Sequence, residues 1–257
     1  MKIVEVTPEN ATKETFFCIK DTKRQGFKDK LKWFEKRRKE GLQIKILKND
    51  EDKMIGFIEY VPAKYAWRPV DADNYMFIHC AYIYAKKERS KGYGSMLIED
   101  AEKEAKAKGL DGLCVMTSKG GWLANKTLFE KNNFKQIETK DRFELLAKTW
   151  NNNSNKPRLL DWHSQQKKYK GWHLSYADQC PWSEKSVEAI LNVAMDHEIE
   201  LKVTKINTVK EAKMAPSGFG VFNLLHDGRL LEDHYISHTR FRNILKKELN
   251  IERIKKI

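Results

Sequence analysis

Long apolar runs are missing from this 257-residue chain; apolar stretches such as 145–147 and 219–225 fall far short of the ~20 residues a membrane-crossing helix needs. The opening Met1-Lys2-Ile3-Val4-Glu5-Val6 alternates like a strand and lacks the apolar core and cleavage site of a secretory signal. Cysteine is sparse. Cys18, Cys80, Cys114 and Cys180 stand apart without CxxC spacing, which excludes a disulfide framework and a zinc ribbon. Isolated thiols suit a reducing compartment, so the expectation is a soluble cytoplasmic protein with no membrane partner.

Positive charge, by contrast, is abundant: 49 Lys+Arg face 36 Asp+Glu, a formal net charge of +13. Such a surface attracts polyanions. Yet the lysines are interleaved with glutamates, as in Glu35-Lys36-Arg37-Arg38-Lys39-Glu40, the pattern of a solvated helix face. Nucleic acid is therefore not the expected partner. Hydrophobic residues make up 40% and aromatics 11%, enough for packed cores, and the length fits two domains.

The seam is Asn151-Asn152-Asn153-Ser154-Asn155-Lys156-Pro157, a turn-rich stretch without an apolar residue. It predicts a first domain over 1–150, a linker over 151–157 and a second domain over 158–257. One histidine, His79, precedes it and six follow.

In the first part, Leu42, Ile44 and Ile46 alternate as a strand, residues 49–52 turn the chain, and 54–60 return it as a hairpin. Phe27, Leu31 and Phe34 mark one face of a helix. Residues 75–85, rich in aromatic and β-branched side chains, predict a central strand. Next comes Arg89-Ser90-Lys91-Gly92-Tyr93-Gly94, opening a helix expected over 95–108, with Leu97, Ala101 and Ala105 on one face and Gly109 as its stop. The first turn of a helix leaves N–H groups unpaired at the positive end of its dipole. Glycines admit a phosphate to the main chain, and Arg89 and Lys91 add charge, so a pyrophosphate suits this loop. The spacing is neither a P-loop nor the GxGxxG of a Rossmann turn.

The pattern Gln/Arg-x-x-Gly-x-Gly/Ala after a strand resembles the coenzyme A loop of the GCN5-related N-acetyltransferases. Residues 125–134, Asn-Lys-Thr-Leu-Phe-Glu-Lys-Asn-Asn-Phe, resemble that family's final helix and turn. The resemblance covers about 150 residues and implies a mixed-sheet α/β domain. By it, acetyl-CoA lies beside Tyr82, Ile83 and Tyr84, its pyrophosphate on the amides of Arg89, Ser90, Lys91, Gly92, Tyr93, Gly94 and Ser95, with Asn125 facing it. An amine attacks the thioester directly. Acid and base are harder to place, because Phe129 stands where a tyrosine is common, Trp122 where an asparagine is, and Ile78 where some members carry a carboxylate. His79 is the nearest titratable group and the expected base; Tyr82 and Tyr84 are aromatics able to pack or relay a proton, with Tyr84 taken as the second catalytic residue. Cys80 and Cys114 read as small buried hydrophobes.

After the linker the pattern reads β-α-β-α-β-β-α: strands at 173–177, Leu201/Val203, 219–225 and 229–235; helices opening at Ser183, over 209–214, and along Phe241, Ile244, Leu245 and Leu249. Ser183 is the expected N-cap and Asp227-Gly228 a hairpin turn. This order resembles a thioredoxin-like domain, with Ala215-Pro216 where that fold carries a cis-proline and Cys180-Pro181-Trp182-Ser183 where it carries its thiols. The missing second cysteine resembles monothiol glutaredoxins, which implies an activated Cys180 thiol at a helix start. Cys180 as a relic in a recognition or dimerisation module remains equally open, and a homodimer is compatible with it. His226, His234 and His238 lack a carboxylate or thiol at ligand spacing, so no metal is expected.

The two resemblances together match the YoaP-like acetyltransferases. They imply an acetyl-CoA-dependent N-acetyltransferase with a small primary amine as acceptor. The alternative is a monothiol redox protein using Cys180, with a regulatory CoA site. Loops 61–74 and 118–124 are expected around the acceptor, with Tyr65, Trp67 and Trp122 able to form an aromatic wall.

Overall fold

A computed structural model describes residues 1–249 except Ala85 and Asn152. The expected strand end at Ala85, one linker residue and the last eight residues of the second domain lie outside the described residues. The chain divides into two compact units. One comprises Met1–Lys23, Leu31–Ala66 and Val70–Leu160; the other comprises Arg24–Lys30, Trp67–Pro69 and Asp161–Ile257.

In the first unit the elements run β1 (Lys2–Glu5), α1 (Ala11–Glu14), α2 (Gln25–Arg38), β2 (Gln43–Lys48), β3 (Met54–Pro62), β4 (Val70–Asp71), β5 (Tyr75–Ile83), α3 (Tyr93–Ala107), β6 (Gly112–Ser118), α4 (Lys126–Glu130), β7 (Lys135–Lys140), β8 (Phe143–Thr149) and β9 (Arg158–Leu159). The first residues of α2 cluster with the second unit. Seven strands form one sheet in the order β1-β2-β3-β5-β6-β8-β7, while β4 and β9 pair by themselves. Every neighbouring pair in the large sheet is antiparallel except β5–β6.

That one parallel pair needs a crossover, and α3 supplies it. Its buried face (Leu97, Ile98, Ala101, Ala105) packs with Tyr60, Met76, Ile78 and Leu113 in one core. Truncating Leu97 here costs about 2–5 kcal/mol. The helix starts at Tyr93, two residues earlier than the sequence predicts, because Gly92 adopts a left-handed φ of 81° and turns the chain directly into it. Gly94 has a different purpose: a Cβ there would lie 2.7 Å from Leu128 Cδ1, so its absence lets α3 and α4 approach.

The second unit contains α5 (Trp162–Gln166), β10 (Trp172–Tyr176), α6 (Ser183–Asp196), β11 (Leu201–Lys205), α7 (Val209–Lys213), β12 (Phe222–His226), β13 (Arg229–Glu232) and α8 (His238–Leu249). Its sheet order is β11-β10-β12-β13, with β10–β11 parallel and the other pairs antiparallel. Asp227 and Gly228, both at positive φ, close the β12–β13 hairpin as their sequence predicts. Val187, Ile190, Phe241 and Leu245 are buried where α6 and α8 pack together.

Several expectations shift. Ser183 is the first helical residue of α6 rather than its cap; Trp182 precedes it without a side-chain cap. The third strand begins at Phe222 instead of 219 because residues 217–221 form a buried turn, with Gly220 N–H on Ser217 O. The next strand stops at Glu232, where Asp233 and His234 pair side chain to side chain. No peptide bond among the described residues is cis, Ala215–Pro216 included.

Candidate functional site

The site begins with a defect in the central sheet. β5 and β6 pair only from Tyr75↔Gly112 to Ile78↔Val115. Beyond that register β5 continues against β3 alone and β6 against β8 alone. The two strands therefore part after Ile78 and Val115, and the edge of β5 that faces β6 opens over its last residues. A β-bulge sits at the point of divergence: Glu59 faces Cys80 and Tyr60 faces Ile78, so His79 is the inserted residue. Bulges re-aim side chains, and this one sets His79 beside Glu59.

The strand then runs out at Tyr82, Ile83 and Tyr84 towards a short 3-10 turn, Lys86–Glu88, and the glycine loop. α3 is 15 residues long, and its N-cap Gly92 offers no side-chain cap. No acidic residue occupies its first turn. The N–H groups of Tyr93, Gly94 and Ser95 therefore keep their donor capacity at the positive end of the helix. A Cβ on Gly92 would meet nothing within 4 Å, so the space over this turn is open. The loop fits a diphosphate. Of the cations expected to serve it, Lys91 is exposed and pairs with Glu88 at 3.1 Å. Arg89 is drawn back: it donates to Tyr82 Oη at 2.7 Å and to Ile83 O at 3.2 Å, and lies over the Tyr82 ring. Ser90 takes a left-handed φ of 64° in the turn between them.

The residues expected to carry acid–base chemistry are spread out. His79 is buried, its Nδ1 3.2 Å from Glu59 Oε1 and its ring edge-on to Phe77. Tyr82 and Tyr84 were expected to pack in the central strand; instead they are 44% and 66% exposed, because β5 has left the core by that point. Both rings stand edge-on to Phe17, which stacks on Phe57. Phe129 is fully buried against Phe134, and Ile78 lies in the core. Asn125 is occupied in another way: it caps α4, accepting from Thr127 N–H at 2.8 Å. Cys114 is buried as expected, whereas Cys80 is only half-buried. The aromatic wall does not form, since Trp67 is fully buried and clusters with the second unit while Trp122 is exposed.

Two contributors escaped the sequence reading. Glu59 carried a signal, a lone acid in the apolar strand Met54–Pro62, but its partner became visible only with the β3–β5 register. Phe17 sits in an irregular segment with no periodicity.

In the second unit Cys180 is half-buried, and its carbonyl accepts from Ser183 N–H at 3.2 Å. Glu184 fills the first turn of α6; burial, followed by the nearby charges of Glu188 and Asp29, pushes its carboxyl above the usual range. His226 stacks on Trp172, and His234 lies 3.1 Å from Asp233. Among the described residues no cluster of His, Cys, Asp and Glu could hold a metal ion, and no helix is long and apolar enough to cross a membrane.

Residues 9–131 match the sequence profile of the acetyltransferase (GNAT) family. Over 251 residues the chain is 27% identical to the uncharacterized N-acetyltransferase YoaP of Bacillus subtilis (strain 168), covering 95% of this chain and 98% of that one. Among solved structures, it is similar to the ribosomal-protein-alanine N-acetyltransferase of Brucella melitensis, with 16% identity and a TM-score of 0.42 over 58% of this chain and 100% of that one. It is similar also to the PaiA N-acetyltransferase of Thermoplasma acidophilum in complex with coenzyme A, with 16% identity and a TM-score of 0.40 over the same shares, 58% and 100%.

Proposed function

We infer the chemistry of this chain from the match of residues 9–131 to the acetyltransferase (GNAT) family and from its likeness to YoaP: it transfers the acetyl group of acetyl-CoA to an amine. The observation that carries the assignment to particular residues is the uncapped start of α3 at Gly92, directly downstream of the parted strands β5 and β6. The N–H groups of Tyr93, Gly94 and Ser95 hold the diphosphate, Lys91 and Arg89 supply charge beside it, and the main chain of Tyr82, Ile83 and Tyr84 pairs with the amides of the pantetheine arm. When bound, acetyl-CoA supplies the thioester carbon that the amine attacks.

The attacking nitrogen must shed a proton, and His79 accepts it, with the Glu59 carboxylate 3.2 Å from its Nδ1. Tyr84 belongs elsewhere. A strand advances ~3.3 Å per residue, so Tyr84 stands about 16 Å from His79, beyond the reach of one reacting carbon. It forms the exposed wall of the coenzyme channel, with Phe17 and Tyr82. The acceptor is a small primary amine.

We assign residues 1–150 to the acetyltransferase domain, 151–157 to the linker and 158–257 to a thioredoxin-like domain. The two compact units part between Leu160 and Asp161, three residues beyond that linker; the thioredoxin-like reading is supported by a parallel β10–β11 pair followed by antiparallel β12 and β13. The second domain helps select the acceptor. A cytoplasmic location agrees with four cysteines suited to a reducing compartment.

The test is CoA release over a panel of polyamines, amino acids, aminoglycosides and peptides. His79→Gln should lower kcat/KM about 100-fold and alter the pH profile of kcat/KM. An unchanged profile would assign the proton to another group.

A further inference from the structure

Away from the glycine loop, the second unit carries a cavity of about 480 Å³ under α7. That volume is in the range of small-molecule sites. Ile206, Met214 and Pro216 give it apolar walls, Ser175 lies in its lining, and Lys168 and Lys210 stand at its exposed rim.

The floor is organised from behind. Ser217 Oγ donates to Asn223 Oδ1, which fixes that amide with its nitrogen turned to Ser175. Asn223 Nδ2 then donates to Ser175 Oγ at 3.0 Å. All three side chains are buried. The Ser175 oxygen is thus an acceptor in this network, which leaves its hydroxyl proton available to a ligand in the cavity that it lines. A carboxylate oxygen is a matching acceptor for it.

The rim has the opposite charge to such a ligand. Lys168 donates to Gln165 Oε1 at 2.7 Å, and neither Lys168 nor Lys210 is within ion-pair distance of a carboxylate among the described residues. Glu211, the acid in the lining, is already committed: the amides of Asn207 and Thr208 at the start of α7 donate to it and, with the Asn207 amide first, hold its carboxyl below the usual range. Two lysines against one amide-bound carboxylate leave the lining net positive over apolar walls, with a hydroxyl at the floor, which describes a receptor for an oxygen-rich acid on a short carbon skeleton.

We propose that this cavity binds a small dicarboxylate, one carboxylate taken by Lys168 and Lys210 and the other accepting from Ser175. The binding is independent of the coenzyme loop and would survive failure of the acyl-transfer assignment.

Adipate is the probe, titrated into the full chain by calorimetry, with the uncharged adipamide as its control. Saturable binding is expected below about 10 mM, at least about tenfold tighter than adipamide. Lys168→Glu/Lys210→Glu, on the exposed rim, should weaken adipate at least about tenfold while leaving the melting-temperature shift by CoA unchanged. Ser175→Ala should weaken it about fivefold. Because Ser175→Ala disturbs a buried network and can fail to fold, Met214→Glu at the exposed wall provides a second block with the same expected loss. No saturation at about 20 mM, equal affinity for adipamide, or undiminished binding by the rim double variant would overturn the proposal.

Discussion

Both units contain a strand leading through a loop into a long helix, and the two helix starts differ in what they leave for a ligand. α3 opens at a left-handed glycine with no side-chain cap and no acid in its first turn. α6 also opens without a side-chain cap, but Glu184 sits in its first turn, and Glu188 and Asp29 add like charge around it. The same dipole is therefore offered to an outside anion in one unit and met by the protein's own carboxylates in the other. A helix start is a binding site only when its surroundings leave it one.

The strongest way to break this contrast is Gly92→Asp. A carboxylate placed over the α3 amides should raise the dissociation constant for CoA about 100-fold, read as loss of the CoA-dependent melting shift. Gly92→Asn separates charge from strain: asparagine tolerates the left-handed region, so it should cost about 1 kcal/mol in a urea titration and keep most of the CoA binding. If both variants bind CoA normally, the amides of α3 do not hold the diphosphate.

A smaller effect is expected from the side-chain cations. Arg89→Ala removes a charge and the clamp on Tyr82, and should weaken CoA about tenfold; Lys91→Ala, exposed and screened, should weaken it about threefold, less at high salt. The ranking is the informative part. Equal losses would mean that Arg89 acts only as a charge.

The smallest effect belongs to α6. Burial, with Glu188 and Asp29, raises the folded-state pKa of Glu184, so its ionisation opposes folding above the ordinary carboxylate range and is silent below it. Glu184→Gln should raise the urea midpoint slightly at about pH 7, and the gain should vanish by about pH 4. A gain that persists at low pH would point to the local helix propensity of Gln rather than to charge. Hydrogen exchange with added pyrophosphate sharpens the same comparison, with protection expected at Tyr93, Gly94 and Ser95 and none at the start of α6.

The glycine loop and its helix were legible because everything that makes them is local: two glycines, the i,i+4 pairs Glu102–Lys106 and Glu104–Lys108, and an apolar stripe from Leu97 to Ala105. The hairpin turn at Asp227-Gly228 was legible for the same reason. Exposure of Tyr82 and Tyr84 was not, since it depends on where β6 stops accompanying β5. Nor was the role of Asn125, which capping decides, or the burial of Trp67, which a turn at Gly220 encloses.

From sequence alone came the glycine turn that opens α3, the helix itself and the hairpin turn at Asp227-Gly228, because periodicity, caps and glycine conformations act over one or two helical turns. Only the tertiary structure brought Glu59 to His79 across a bulge, and Ser175, Lys168, Lys210 and Met214 around one cavity. Those meetings depend on strand register and on packing between segments far apart in the chain, and a one-residue change of register would send each strand side chain to the other face.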